Sequence, residues 1–272
     1  MRLGIVLCGA MLLMSGCGCP APEARTVTDS AVLRAQIVQS ADATAETLTL
    51  RFSGAIPAVD SLLRDVLRKD AQSRSMLRGV RWSFGSGGML CFRFSYALPT
   101  ETVRAYKACA GQQADEFAAR VRGLPACVRF LLAYQRVLYA AAFSQDTADP
   151  AAHSAYGALC RGEAVCEGYA EALLLLCQAA EIPCLLVEGT AGTPQQPHAW
   201  NLVYLQGAWH HCDAAWDDCA ADSRCVRFLM DDRAAAADHC WDAGEYPAAA
   251  GDPPTYGEAV AEMQRAFYAF SA

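Results

Sequence analysis

The sequence has no long cluster of lysine and arginine. Its formal charge is −7 and its pI is near 5.2, so the electrostatic footprint of a nucleic-acid binder is missing. It has no Cys-x-x-Cys or His-x-x-x-His pair, which removes familiar chelating spacings for zinc. Ligand-type residues do occur (His198, His210, His211, Cys212, Asp213, Cys219, Cys225, His239 and Cys240), and a zinc protein built from them is the minor alternative. Immediate neighbours such as His239 and Cys240 chelate poorly, so no metal and no cofactor is expected. The early apolar run, residues 3–14, is too short to cross a bilayer as a stable anchor.

What is present is a chain of 272 residues that is 54% apolar, enough to bury a full core in one or two domains. Arg2, the apolar run and then Met14-Ser15-Gly16-Cys17 resemble a bacterial lipoprotein signal. The resemblance implies a signal peptide over residues 1–16, lipidation at Cys17 and an exported protein tied to a membrane, in the periplasm or at the cell surface. Residues 17–45 are rich in small polar residues and proline and read as a tether, with a short helix around residues 31–38. Fourteen cysteines are present, and export permits disulfides. Setting aside Cys8, Cys17 and Cys166 leaves an odd number, so they cannot all pair within the chain, and spacing does not settle connectivity.

Residues 46–98 read as a small β-α-β-β module. Leu48, Leu50 and Phe52 alternate as in a half-buried strand, and Val59, Leu62, Leu63, Val66 and Leu67 have helical spacing. Two further strands flank Gly85-Ser86-Gly87-Gly88. Residues 99–272 are expected to form a second, larger domain. A helix runs from Thr100 to about residue 110 and resumes to about 121. The next opens at Pro125, with Val128, Leu131, Leu132, Gln135, Leu138, Tyr139 and Ala142 along one side.

Residues 163–183 organise the rest. The Ala- and Leu-rich run from Ala170 to Ala180 predicts a central buried helix, closed by Ile182-Pro183. Cys166 sits at its start, where unpaired N–H groups and the positive end of the helix dipole favour a thiolate. After Pro183 come a short strand over residues 184–188, a polar loop over 189–197, and a hairpin over 198–213 turning at Gln206-Gly207. A two-residue turn makes His198 a diagonal neighbour of Asp213, and a four-residue turn places them opposite. A three-residue turn separates them onto opposite faces. Cysteine, imidazole and carboxylate are the minimum set for acyl transfer.

The strings G-E-A-V-C-E-G-Y-A, P-H-A-W-N-L-V and W-H-H-C-D-A-A-W-D-D resemble the transglutaminase-like superfamily in its bacterial secreted form. The approach over residues 155–159 fits, and Phe228-Leu229-Met230 with His239 and Trp241 resembles the C-terminal extension of such proteins. The resemblance implies an α+β, papain-like core, with a Cys-bearing helix packed on an antiparallel sheet, preceded by the β-α-β-β module. It implies Cys166 as nucleophile, His198 as base and Asp213 as orienting acid. The Cys166 backbone N–H and Tyr156 are oxyanion candidates, and Trp200 and Trp216 are candidates for the substrate cleft. Asn201 points away from His198 by parity and takes no catalytic role. Glu167 and Asp217 are possible substrate contacts, and His210 and His211 are surface or packing residues. The expected activity is hydrolysis or transamidation of a protein or peptide substrate, including cell-wall peptide. A catalytically silent binding module of the same fold is the alternative.

Overall fold

The computed structural model describes residues 6–11, 25–54, 58–219 and 225–270. The chain forms two compact units that divide after residue 105. Among the described residues, no helix is long and apolar enough to cross a membrane.

The first unit contains β1 (Val6–Met11), β2 (Thr26–Val27), α1 (Ser30–Asp42), β3 (Thr47–Phe52), α2 (Val59–Lys69), α3 (Ala71–Arg74), β4 (Leu77–Phe84) and β5 (Met89–Tyr96). Its sheet has the order β1-β4-β5-β3-β2. Alternation in β3 buries Leu50 and Phe52, and α2 buries Val59, Leu63, Val66 and Leu67 against them. The stretch expected as a tether departs from that reading. Asp29 caps α1 by accepting from the Ala31 N–H at 2.7 Å, and Leu33, Ile37 and Ala41 enter the core. Those three residues repeat every fourth position, a helical stripe that the small polar residues between them hide from a reading by composition. Residues 6–11, within the stretch read as a signal peptide, lie parallel to β4 at the sheet edge. Cys17 lies outside the described residues.

α4 (Thr100–Val121) is one continuous helix rather than two pieces. The second unit continues with α5 (Ala126–Ala140), β6 (Ala142–Phe143), β7 (Glu163–Ala164), α6 (Cys166–Ala179), β8 (Cys184–Ala191), β9 (Gln196–Leu205), β10 (Ala208–Cys212), α7 (Ala214–Cys219), α8 (Asp232–Ala235), β11 (His239–Cys240) and α9 (Tyr256–Phe270). Its main sheet is antiparallel, in the order β10-β9-β8-β11. The architecture is α+β, with α6 joined to the sheet where Asn201 Nδ2 donates to the Ala170 carbonyl at 2.9 Å. A disulfide joins Cys109 on α4 to Cys160, in the turn before the α6 segment.

Two expectations need correction. In α5 Val128 and Leu131 are buried as expected, but the buried face is completed by Cys127, Phe130, Ala133, Tyr134 and Val137, while Tyr139 is 84% exposed. Tyr134 turns inward because its hydroxyl finds buried acceptors, described below. The polar loop over 189–197 is mostly strand, since β8 runs to Ala191 and β9 starts at Gln196. Gly189 reads as a loop residue but serves close approach. A Cβ there would run into the Cys240 carbonyl oxygen on β11 and stand 2.8 Å from Trp200 Cη2. Gly189→Ala is therefore expected to destabilise the second unit by about 1–3 kcal/mol through overpacking. A urea-unfolding midpoint unchanged from wild type would contradict that.

Candidate active site

Cys166 is the first residue of α6, after Val165 in extended conformation (φ −92°, ψ 175°) with no side chain capping the end. By position its backbone N–H is one of the donors that a helix leaves unpaired in its first turn. The approach is fixed on both sides. β6 and β7 pair in parallel, and the Val165 N–H donates to the Ala152 carbonyl at 2.9 Å. Gly168 lets the first turn of α6 press on that segment, since a Cβ there would meet the Ala152 carbonyl oxygen and the Ala164 Cβ at 2.9 Å. The Cys166 thiol is free and 9% exposed.

The β9–β10 connection is the two-residue turn. Leu205 pairs with Ala208 and Asn201 with Cys212, and Gln206 (φ 51°) and Gly207 (φ 86°) take left-handed conformations. This register brings the imidazole to the carboxylate, with His198 Nε2 2.6 Å from Asp213 Oδ2. The Cys166 side chain acts on the same ring and favours its charged form. With Nε2 committed to Asp213, Nδ1 is the nitrogen left for sulfur. The register thus brings together His198 and Asp213, two of the three residues the sequence singled out.

Burial opposes charge on His198, but the Asp213 carboxylate, with a smaller contribution from Cys166, pushes its pKa up to about 10. Burial alone would raise the Asp213 pKa. The positive charge and hydrogen bond of His198, and then those of His239, hold it well below the usual carboxylate range. Asp213 is gripped by three donors: His198 Nε2, His239 Nε2 at 3.0 Å, also on Oδ2, and the Trp216 N–H at 3.1 Å on Oδ1. It also caps α7, which begins at the next residue.

The remaining expected residues have varied fates. Trp200 is 1% exposed, T-shaped against His239 at 4.8 Å, and donates through Nε1 to His211 Nδ1 at 2.9 Å. It backs the site from the core rather than lining a substrate cleft. Trp216 is half-buried, 5.6 Å from the His198 ring and beneath the Arg227 guanidinium at 4.7 Å. Tyr156 stacks face to face on Tyr106 at 3.7 Å. Glu167 pairs with His153 at 3.1 Å. Asp217 is buried. It accepts the Tyr134 hydroxyl at 2.6 Å and the Arg227 N–H at 3.0 Å, and burial pushes its pKa up to about 6 despite these partners. Asn201 faces α6, as parity required. His210 and His211 are both buried.

The sequence reading gave Tyr134 no role and named His239 only as a ligand-type residue and as part of a C-terminal extension. The Tyr134 hydroxyl reaches the Asp213 backbone carbonyl at 3.0 Å. His239 reaches Asp213 from β11, a strand of two residues that is too short to show a period. Of the ligand-type residues named above, His198, Asp213 and His239 alone converge among the described residues, with donor atoms within 4.8 Å. Both imidazoles are already engaged with the Asp213 carboxylate.

Residues 125–214 match the transglutaminase-like superfamily core, and this stretch contains Cys166, His198 and Asp213. The kyphoscoliosis peptidases of Mus musculus and Homo sapiens are each 34% identical over 75 residues, covering 24% of this chain and 11% of the relative. The chain thus spans only a small part of the length of these curated relatives. Among solved structures, a candidate cysteine protease from Cytophaga hutchinsonii superposes with TM-score 0.35 at 14% identity, over 63% of this chain and 69% of that one. A TGase structure superposes with TM-score 0.29 at 15% identity, over 62% and 50%.

The raised His198 pKa has a thermodynamic consequence. Stability gained from its charged form is full below the unfolded value of about 6.5, declines as pH rises and is gone above about 10. The stability gap between wild type and His198→Gln should therefore narrow steadily over that range, measured by urea unfolding at stepped pH. A gap that widens with pH would show that the ring is held neutral.

Proposed function

We propose that the second unit is a thiol acyl-transfer enzyme acting on peptide or amide bonds. His198 takes the Cys166 proton, and the sulfur attacks the carbonyl carbon. The resulting oxyanion is stabilised by the Cys166 backbone N–H. The imidazolium returns its proton to the leaving amine as the C–N bond breaks, leaving a thioester on Cys166. Water or a second amine then attacks the thioester with His198 as base, regenerating the thiol. Asp213 orients the ring and stabilises its charged form. The observation that carries this reading is the 2.6 Å contact of the His198 imidazole with the Asp213 carboxylate, on a ring whose charged form the Cys166 side chain also favours.

Hydrolysis and transamidation share every step up to the thioester and differ only in the acceptor. Protein or cell-wall peptide is the proposed substrate class, with hydrolysis the favoured direction. Incubation with a peptide library and a primary amine, read by mass spectrometry, separates cleavage, deamidation and cross-linking. Cys166→Ala and His198→Ala should each lower product by roughly 10⁴-fold or more, and Asp213→Asn by less than His198→Ala. Product undiminished in Cys166→Ala would sink the proposal. No product at all, with Cys166 alkylated no faster than in unfolded chain, would leave a binding module.

We propose further that the chain is exported and anchored through lipid on Cys17. The Cys109–Cys160 disulfide supports an oxidising compartment. A mature chain starting at Cys17 lacks β1, so β4 becomes the sheet edge in that form. Mass spectrometry of the membrane fraction should find a lipid-modified N-terminal peptide beginning at Cys17. Recovery of intact Met1 on the mature protein would contradict it.

A further inference from the structure

We propose that His239 is a positioning residue that holds Asp213 in line with His198 and so sustains the reactive form of Cys166. The proposal rests on the reading of Cys166, His198 and Asp213 as the reacting set.

Asp213 Oδ2 is shared. His198 Nε2 lies 2.6 Å from it and His239 Nε2 lies 3.0 Å from it. His239 is in turn fixed by Asp238, whose Oδ1 is 2.5 Å from His239 Nδ1. The other oxygen of Asp238 accepts from Arg227 Nη2 at 2.6 Å, and that guanidinium lies over the Trp216 ring. Trp216 packs on both imidazoles, at 5.6 Å from His198 and 4.8 Å from His239. The contacts therefore close a loop from Asp213 through His239, Asp238, Arg227 and Trp216 back to His198. The charged and titratable groups around His239 are Asp213, Asp238, His198 and His211. His239 is 3% exposed and Asp213 1% exposed, so water has little room to replace a lost donor.

The chemistry explains why a second imidazole belongs there. Without His239, Asp213 keeps the Trp216 N–H on Oδ1 but has His198 as its one partner on Oδ2, so the oxygen that fixes the His198 tautomer and stabilises its charge is free to tilt away from it. A donor from the opposite side closes that freedom, as outer partners do for ligand histidines in other sites. His239 lies beyond the matched core at 125–214 and touches neither the thiol nor any reacting atom.

The test is the second-order rate of Cys166 alkylation by iodoacetamide across pH, read on the Cys166 peptide by mass spectrometry in the full-length protein. His239→Ala should label roughly 10-fold to 100-fold more slowly near neutral pH. Its rate should rejoin wild type at about pH 9.5, where a thiol ionises without help. His239→Gln, long enough to return an N–H to Asp213, should recover most of the rate, and the shorter His239→Asn should not. The Gln and Asn pair keeps the test decisive if the Ala variant fails to fold. Equal loss in both, or a uniform drop at every pH, would mean a packing role and overturn the proposal. An unaltered profile in His239→Ala would overturn it while leaving the acyl-transfer reading intact. Wild-type labelling no faster than in unfolded chain would overturn both. Zinc analysis of the same preparation should find none. One tightly held zinc per chain would make His239 a ligand alongside His198 and Asp213, and would replace positioning with metal binding.

Discussion

A buried carboxylate is the constraint around which the second unit is arranged. Asp213 is almost fully enclosed, and an ion there is tolerable only if donors surround it. His198, His239 and the Trp216 N–H supply them, each from a different part of the chain. The β9–β10 turn places His198, α7 starts on Asp213, and β11 brings in His239 against β8. The same burial that makes an unpaired carboxylate costly strengthens its hold on the imidazole, because the local dielectric is low. Stability and the proposed chemistry therefore draw on one contact.

The Cys166 thiol is set by a separate device. α6 is wrapped by apolar neighbours along nearly its whole length, so its N-terminus is a rigid place to mount a thiol. Gly168 allows that end to press against residues 152–154, and the Asn201 amide ties the helix to β9. α5 reaches the other half of the site through Tyr134, whose hydroxyl bridges the Asp213 carbonyl and Asp217. The helix carrying sulfur and the strands carrying imidazole and carboxylate are thus braced from outside as well as against each other.

Much of this was legible in residue order. Leu48, Leu50 and Phe52 marked a strand, the Ala170–Leu176 run marked a buried helix, and Gln206-Gly207 marked a turn. These signals are local, because strand and helix periods are properties of neighbouring residues. Errors arose where a residue answered to a distant partner. Gly189 serves β11 rather than a loop, Tyr134 turns inward toward Asp217, and Leu33, Ile37 and Ala41 fold a presumed tether into a core. Trp200 was judged by its closeness to His198 in sequence, and its enclosure depends on β11 and on Ala249, which no window around residue 200 contains.

By itself the sequence determined which chemical groups exist, their order, and the short list of hairpin registers that could bring His198 to Asp213. It placed Cys166 at a helix start, since propensity and the break at Pro183 act over a few residues. Only the tertiary structure chose among the registers and added His239, 26 positions beyond Asp213, as a second imidazole on the same oxygen. It also paired Cys109 with Cys160. Those outcomes depend on which surfaces close over one another, and closure couples residues with no periodic relation along the chain.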